Sequence, residues 1–205
     1  MHKQILAATE DYIISILSSK TPPCNTYHNL AHTEDVVGSS IEIGVGEMLT
    51  PDDLEMVQIA AWFHDLGYIE KTAGHEEVSA AYASEFLSSE NYSSNKIEKI
   101  IGCIRATKVP QNPHNKFEQI ICDADLNHIG RKTFLARNDL FKSEFEYYSN
   151  DHLTEKEWLT KTIEFLNQHH FFTGYAKKNF QPQKEKNIRA LEEQLKNFRF
   201  DPLNI

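Results

Sequence analysis

Three short stretches put nitrogen and oxygen ligands where an apolar core belongs. "YHNLAHTEDVV" (27–37) carries His28 and His32, "WFHDLGY" (62–68) carries His64 and Asp65, and "IICDADLNHIG" (120–130) carries Asp123, Asp125 and His128. A buried charge is costly unless something pairs with it. Leu54, Val57, Ala61 and His64 fall at i, i+3, i+7 and i+10, one face of a helix. His64 therefore continues an apolar stripe, with Asp65 beside it at the margin of the core. His28 and His32 are four apart, on a helical face that Val36 continues. Asp123 and Asp125 are two apart, about 200° around a helix, so they face opposite ways. Ile121, Asp125 and Ile129 share a face, which makes Asp125 the acid on the stripe and leaves Asp123 solvated or capping. Taken alone, a His–Asp pair near a helix end is more often a satisfied core histidine or a cap. Three such helices point to convergence on one divalent cation. The set His32, His64, Asp65 and Asp125 mixes nitrogen with oxygen, which suits Mn, Fe, Co, Ni or Zn and suits Ca less.

These side chains need helices to carry them. Apolar spacing predicts helices near 2–18, 28–44, 51–67, 74–89, 94–107, 115–130, 131–149, 154–170 and 182–198, and no strand. "TPDD" (50–53) offers Thr50 as N-cap, Pro51 at the first helical position and two acids in the first turn. Gly67 is placed to stop that helix. "SKTPPCN" (19–25) and "KVPQNPHN" (108–115) are turn-rich breaks, and "QPQK" (181–184) opens the last helix. No repeat or long linker divides the chain.

Bulk properties narrow the function. The 205 residues are 40% hydrophobic and 25% charged, enough for one domain that buries roughly 70% of its unfolded surface. The net charge of −9 argues against duplex nucleic acid as a partner. It does not exclude a small anion, because charges beyond about 8 Å are largely screened at physiological salt. No apolar run reaches the ~20 residues that span a bilayer. The amphipathic N-terminal segment lacks the order of a signal peptide. Cys24, Cys103 and Cys122 follow no CxxC spacing and read as reduced thiols of a cytoplasmic protein.

The ordered pattern H…HD…D on helices resembles the HD superfamily of metal-dependent phosphohydrolases. "YHNLAH", "AAWFHDLGY", "HEEVSAAYASEFL" and "CDADLNHIG" are similar to predicted HD phosphohydrolases of bacteria, strongly over residues 25–130 and more weakly over the tail. The resemblance implies an all-α, single-domain bundle over 1–205, with 131–205 packed on the motif core. It implies His32, His64, Asp65 and Asp125 as metal ligands. It selects Asp125 over Asp123 as the final aspartate, in agreement with the helical phase. Some HD proteins hold two ions bridged by the aspartate of the HD pair, here Asp65, and His75 and His128 are the candidates for extra ligands. One or two divalent ions are expected, from among Mn, Fe, Co, Ni, Zn and Mg.

The implied reaction is hydrolysis of a phosphate ester or anhydride of a nucleotide or another small phosphorylated metabolite. Asp65, Glu76 and Glu77 are the candidate catalytic residues. "HEEVS" (75–79) is no zincin motif, since Ser79 stands where the second histidine must be. Glu76 and Glu77 can orient water or act as general base, or serve as ordinary first-turn acids. His28 and Asn29 are candidates to orient His32 or touch substrate. Lys108 and Arg131 are the favoured phosphate-binding cations, ahead of Arg105 and Lys132. Phe141, Phe145, Trp158, Phe165 and Leu166 read as core or lid residues, and "NQHHFFTGYA" (167–176) as a packed helix junction.

Two other readings compete: an HD-type ligand-binding or regulatory module with little catalysis, and a plain helical protein whose polar motifs are structural. The residues after His64–Asp65 are Leu66-Gly67-Tyr68. They lack the acidic pair of stringent-response hydrolases, and Tyr68 replaces the lysine of cyclic-dinucleotide phosphodiesterases. No specific substrate follows. A homodimer is the commonest symmetric assembly.

Overall fold

The computed structural model describes residues 2–149 and 151–198. Residues 1, 150 and 199–205, part of the expected 1–205 domain, lie outside the described residues. The order is α1 (His2–Lys20), α2 (Leu30–Gly46), α3 (Pro51–Phe63), α4 (His75–Ser89), α5 (Ser94–Ala106), α6 (Lys116–Asp125), α7 (Phe134–Ser149), α8 (Glu155–Gln168), α9 (Gly174–Asn179) and α10 (Gln181–Asn197). No strand occurs among the described residues, so the architecture is all-α. No helix is long and apolar enough to cross a membrane.

Local chemistry sets the starts. Thr50 caps α3 by accepting the Asp53 N–H, and proline stands in the first turn as expected. Asn29 caps α2 by accepting from the N–H groups of Ala31 and His32. Asn115 does the same for α6 with Phe117 and Glu118. Thr154 and Glu157 form a reciprocal capping box on α8.

Three ends depart from the periodicity. α3 stops at Phe63 instead of running to Gly67, and a 3₁₀ turn follows at Leu66–Ile69. The Gly67 N–H goes to Ser79 Oγ (2.8 Å), so a side chain of α4 takes the donor that would have continued the helix. α6 stops at Asp125, before a second 3₁₀ turn at Asn127–Gly130. α2 starts at Leu30, so His28 precedes the helix and does not share its face with His32. α9 was not expected; at six residues it is too short to show a period.

α3 is apolar nearly all round and runs through the middle of the core, against α1, α2, α4, α5 and α6. Val57, Ile59, Ala60, Ala61 and Phe63 are fully buried. Each large aliphatic or aromatic side chain in such a core contributes about 1.5–3 kcal/mol. The same cluster extends through Phe134, Leu159, Leu166, Phe171, Phe180 and Leu191 of the C-terminal part. Asn187 of α10 ties that part to the second 3₁₀ turn, donating to the carbonyls of Ile129 (2.8 Å) and Arg131 (2.9 Å).

Asp123 is not solvated. It is fully buried and accepts the backbone N–H groups of Phe172 (2.8 Å) and Thr173 (2.7 Å), tying the segment before α9 to α6. Burial pushes its carboxyl up to about 6, against the two N–H groups that pull it down.

Candidate metal centre

Three elements bring the four expected ligands together. α2 supplies His32, the junction between α3 and the first 3₁₀ turn supplies His64 and Asp65, and the last residue of α6 is Asp125. One donor atom from each lies within 4.8 Å of all the others. His64 Nε2 is 3.1 Å from Asp65 Oδ2 and 3.6 Å from Asp125 Oδ1. His32 Nε2 is 3.3 Å from Asp65 Oδ2, 3.5 Å from Asp125 Oδ1 and 3.4 Å from His64 Nε2. Donors held about 2.1 Å from one ion stand roughly 3.0–3.4 Å apart in octahedral-cis or tetrahedral geometry. Three of the five separations fall within that spacing, and the two to Asp125 Oδ1 exceed it by 0.1–0.2 Å.

The donor chemistry fits a cation as well. His64 Nδ1 lies 2.8 Å from the Ala61 carbonyl, so the ring donates there and turns the Nε2 lone pair inward. That lone pair faces two carboxylate oxygens. Asp65 Oδ2 is buried without a hydrogen-bond donor. Electron-rich atoms packed this way need a positive charge among them. Burial lowers the imidazoles of His64 and His32, but the Asp65 and Asp125 carboxylates raise both above the ordinary histidine value, His64 strongly. Burial conversely raises the two carboxyls, yet the histidines hold Asp65 and Asp125 below the usual carboxylate range.

His75 stands on the other oxygen of Asp65. Its Nε2 is 3.3 Å from Oδ1, and its Nδ1 is 2.8 Å from the Thr72 carbonyl, the arrangement seen at His64. Glu76 is buried, with Oε1 3.8 Å from His75 Nε2. His28 Nε2 lies 4.0 Å from Asp65 Oδ2. Tyr68 packs on both outer histidines, stacked on His28 (centroids 3.9 Å apart) and tilted by 34° against His75 (4.0 Å).

Other expected residues lie elsewhere. His128 sits in the second 3₁₀ turn, not on the α6 face, with Nδ1 2.9 Å from the Tyr27 hydroxyl and its ring stacked on Phe134. Burial and the nearby His32 charge push it down to about 4. Glu77 is exposed and paired with Arg105 (2.8–3.0 Å). Asn29 spends its oxygen on the α2 cap and its Nδ2 on the carbonyls of Asn25 and Thr26. Lys108 is exposed. Arg131 pairs with Glu42 and lies over the Phe180 ring, 4.3 Å from its centroid.

Sequence reading missed four residues here. Glu144 of α7 is buried, pairs with His28 Nδ1, and accepts the N–H groups of Tyr27 (2.8 Å) and His28 (2.9 Å). Its signal was faint: a lone acid three residues after Phe141 on an otherwise apolar face. Tyr27, Tyr68 and Gln111 carried none. Gln111 Nε2 is 3.4 Å from Asp125 Oδ2.

A cavity of about 520 Å³ opens beside the cluster. Its lining joins Asp65, His75, Glu76 and Asp125 to an aromatic wall of Phe141, Phe145, Trp158 and Phe165. Leu166 faces the core instead, and Phe171 packs on Phe180, so the 167–176 segment is a packed junction.

No protein-family model and no curated protein matches the chain. Solved structures do. A predicted HD superfamily hydrolase from an uncultured Thermotogales bacterium is 21% identical, with a TM-score of 0.59 over 96% of this chain and 90% of that one. Bacillus subtilis YpgQ, crystallised in complex with ADP, is 15% identical, with a TM-score of 0.69 over 96% of each chain. At these identities the likeness speaks for the fold alone. In fold, the chain is an HD-type helical domain.

Proposed function

We propose that this chain is a divalent-metal-dependent phosphohydrolase acting on a nucleotide or another small phosphorylated metabolite. The observation that carries the proposal is the convergence of donor atoms of His32, His64, Asp65 and Asp125, all within 4.8 Å of one another, at the edge of a ligand-sized cavity. Those four side chains would hold the ion. His75 and the second oxygen of Asp65 would hold another. A bound divalent ion supplies a water acidified toward pKa about 7 and positive charge for the phosphoryl oxygens. The nucleotide in the YpgQ crystal supports a phosphorylated ligand for this fold.

The chain's own residues do the rest. Ala61 and Thr72 fix the ring orientations of His64 and His75 through their carbonyls. Glu144 holds His28 at Nδ1, and Tyr68 stacks on the face of the same ring. Glu76, buried beside His75, is the group placed to take a proton from the attacking water. His28 lines the cavity, where it would contact the phosphoryl group. In this reading residues 1–205 work as one domain, in a cytoplasm that keeps the three unpaired cysteines reduced.

Phosphate release from a nucleotide panel, with Mn, Co, Fe, Ni, Zn or Mg supplied singly, tests the proposal. Hydrolysis is expected with at least one metal, and Asp125→Ala is expected to lose about a hundredfold or more of it while helical circular dichroism is retained. Full activity in Asp125→Ala would refute the assignment.

A further inference from the structure

We infer that the substrate is a phosphomonoester of a bulky aromatic or apolar alcohol, with its single phosphate at the cluster and its body against the aromatic wall. The inference rests on the phosphohydrolase reading and narrows it.

Charge is the first argument. A phosphomonoester carries about −1.5 to −2 at pH 7, and each further phosphoryl group adds roughly one more negative charge. Sites for di- and triphosphate chains meet that charge with arginine and lysine. This cavity is lined by Asp65, Glu76 and Asp125, and among the described residues Lys161 is the only lysine or arginine in its lining. Lys161 is exposed. The cations near the motifs are committed or outside: Arg131 to Glu42, Arg105 to Glu77, and Lys108 exposed and absent from the lining. One phosphate would be met by the ions that the cluster would hold. A polyphosphate chain would lie along acids and aromatic rings.

The aromatic wall is the second argument. The cavity is far larger than a phosphate group, and the space beyond the cluster is bounded by Phe141, Phe145, Trp158 and Phe165. Flat ring faces suit a planar apolar body.

Four probes separate the two arguments on full-length, Mn-loaded protein. 1-Naphthyl phosphate and glycerol 3-phosphate share their charge and differ in body. AMP and ATP share a body and differ in charge. Both hydrolysis (kcat/KM) and binding (thermal-shift titration) are read. The expected result is a preference of about tenfold or more for 1-naphthyl phosphate over glycerol 3-phosphate, and for AMP over ATP. ATP preferred over AMP, or glycerol 3-phosphate equal to 1-naphthyl phosphate, overturns the inference while leaving the hydrolase reading intact. Selective binding without hydrolysis of any probe overturns the hydrolase reading, and with it the assignment of the bound phosphomonoester as a substrate. Neither binding nor hydrolysis overturns both.

Discussion

At the residue scale, the second nitrogen of each histidine decides what the first can do. His64 and His75 each spend Nδ1–H on a carbonyl three residues back, which leaves both Nε2 atoms facing Asp65. His128 does the opposite work. It is held neutral against Tyr27, down at about 4, by burial and then by the His32 charge. The ordinary value is about 6.5. As pH falls through that window the unfolded chain takes up the proton first, so the stability linked to His128 is present above 6.5 and lost progressively toward 4. Thermal midpoints of the metal-free protein between pH 7 and 5 should therefore fall more steeply in wild type than in His128→Asn. Equal slopes would contradict the assignment. The four-residue cluster was readable because histidine and aspartate stood at apolar phase in three helices. Glu144 and Gln111 were not, because their partners lie 116 and 14 residues away along the chain and only the tertiary fold supplies them.

At the scale of elements, tight joints aim the ligands. The first 3₁₀ turn brings Gly67 against the start of α4, where a Cβ would run into the His75 carbonyl. Gly67→Ala must push His75 away from Asp65. It is expected to cost about 1–3 kcal/mol of stability, measured by urea denaturation. It should also weaken binding of a second metal equivalent more than the first, read by calorimetry. No change in either would show that the joint does not position His75. Asp123 acts at a distance in a similar way. Asp123→Ala leaves the N–H groups of Phe172 and Thr173 without their acceptor, at a cost of about 2–4 kcal/mol. Hydrogen exchange at those two amides should accelerate with the substitution. Helix starts were legible from Thr50 and from the Pro at the head of α10, since caps are local chemistry. The ends of α3 and α6 were not, because a side chain of α4 and the return of the chain into 3₁₀ turns cut short a periodic pattern that continues in sequence.

At the scale of the whole molecule, the motif helices and the C-terminal helices share one cavity. The cluster comes from α2, α3 and α6, and the aromatic wall from α7 and α8. The all-α architecture followed from helical periodicity throughout. The closeness of the aromatic wall to the cluster did not, because it depends on how α7 packs on the second 3₁₀ turn and α8 on α10. A bound ion ties three helices that otherwise bring electron-rich atoms together, so metal and folding are linked. At a metal concentration of 100 times Kd the linkage adds about 2.7 kcal/mol, which for a chain of this size raises Tm by roughly 5–10 °C. The central claim is that the cluster binds metal, and the most direct test is metal content by mass spectrometry of wild-type protein and His64→Ala, each incubated with Mn, Fe, Co, Ni and Zn and then desalted. The account predicts about one or two equivalents in wild type and loss of at least one in the variant. Wild-type protein that retains no metal would contradict it.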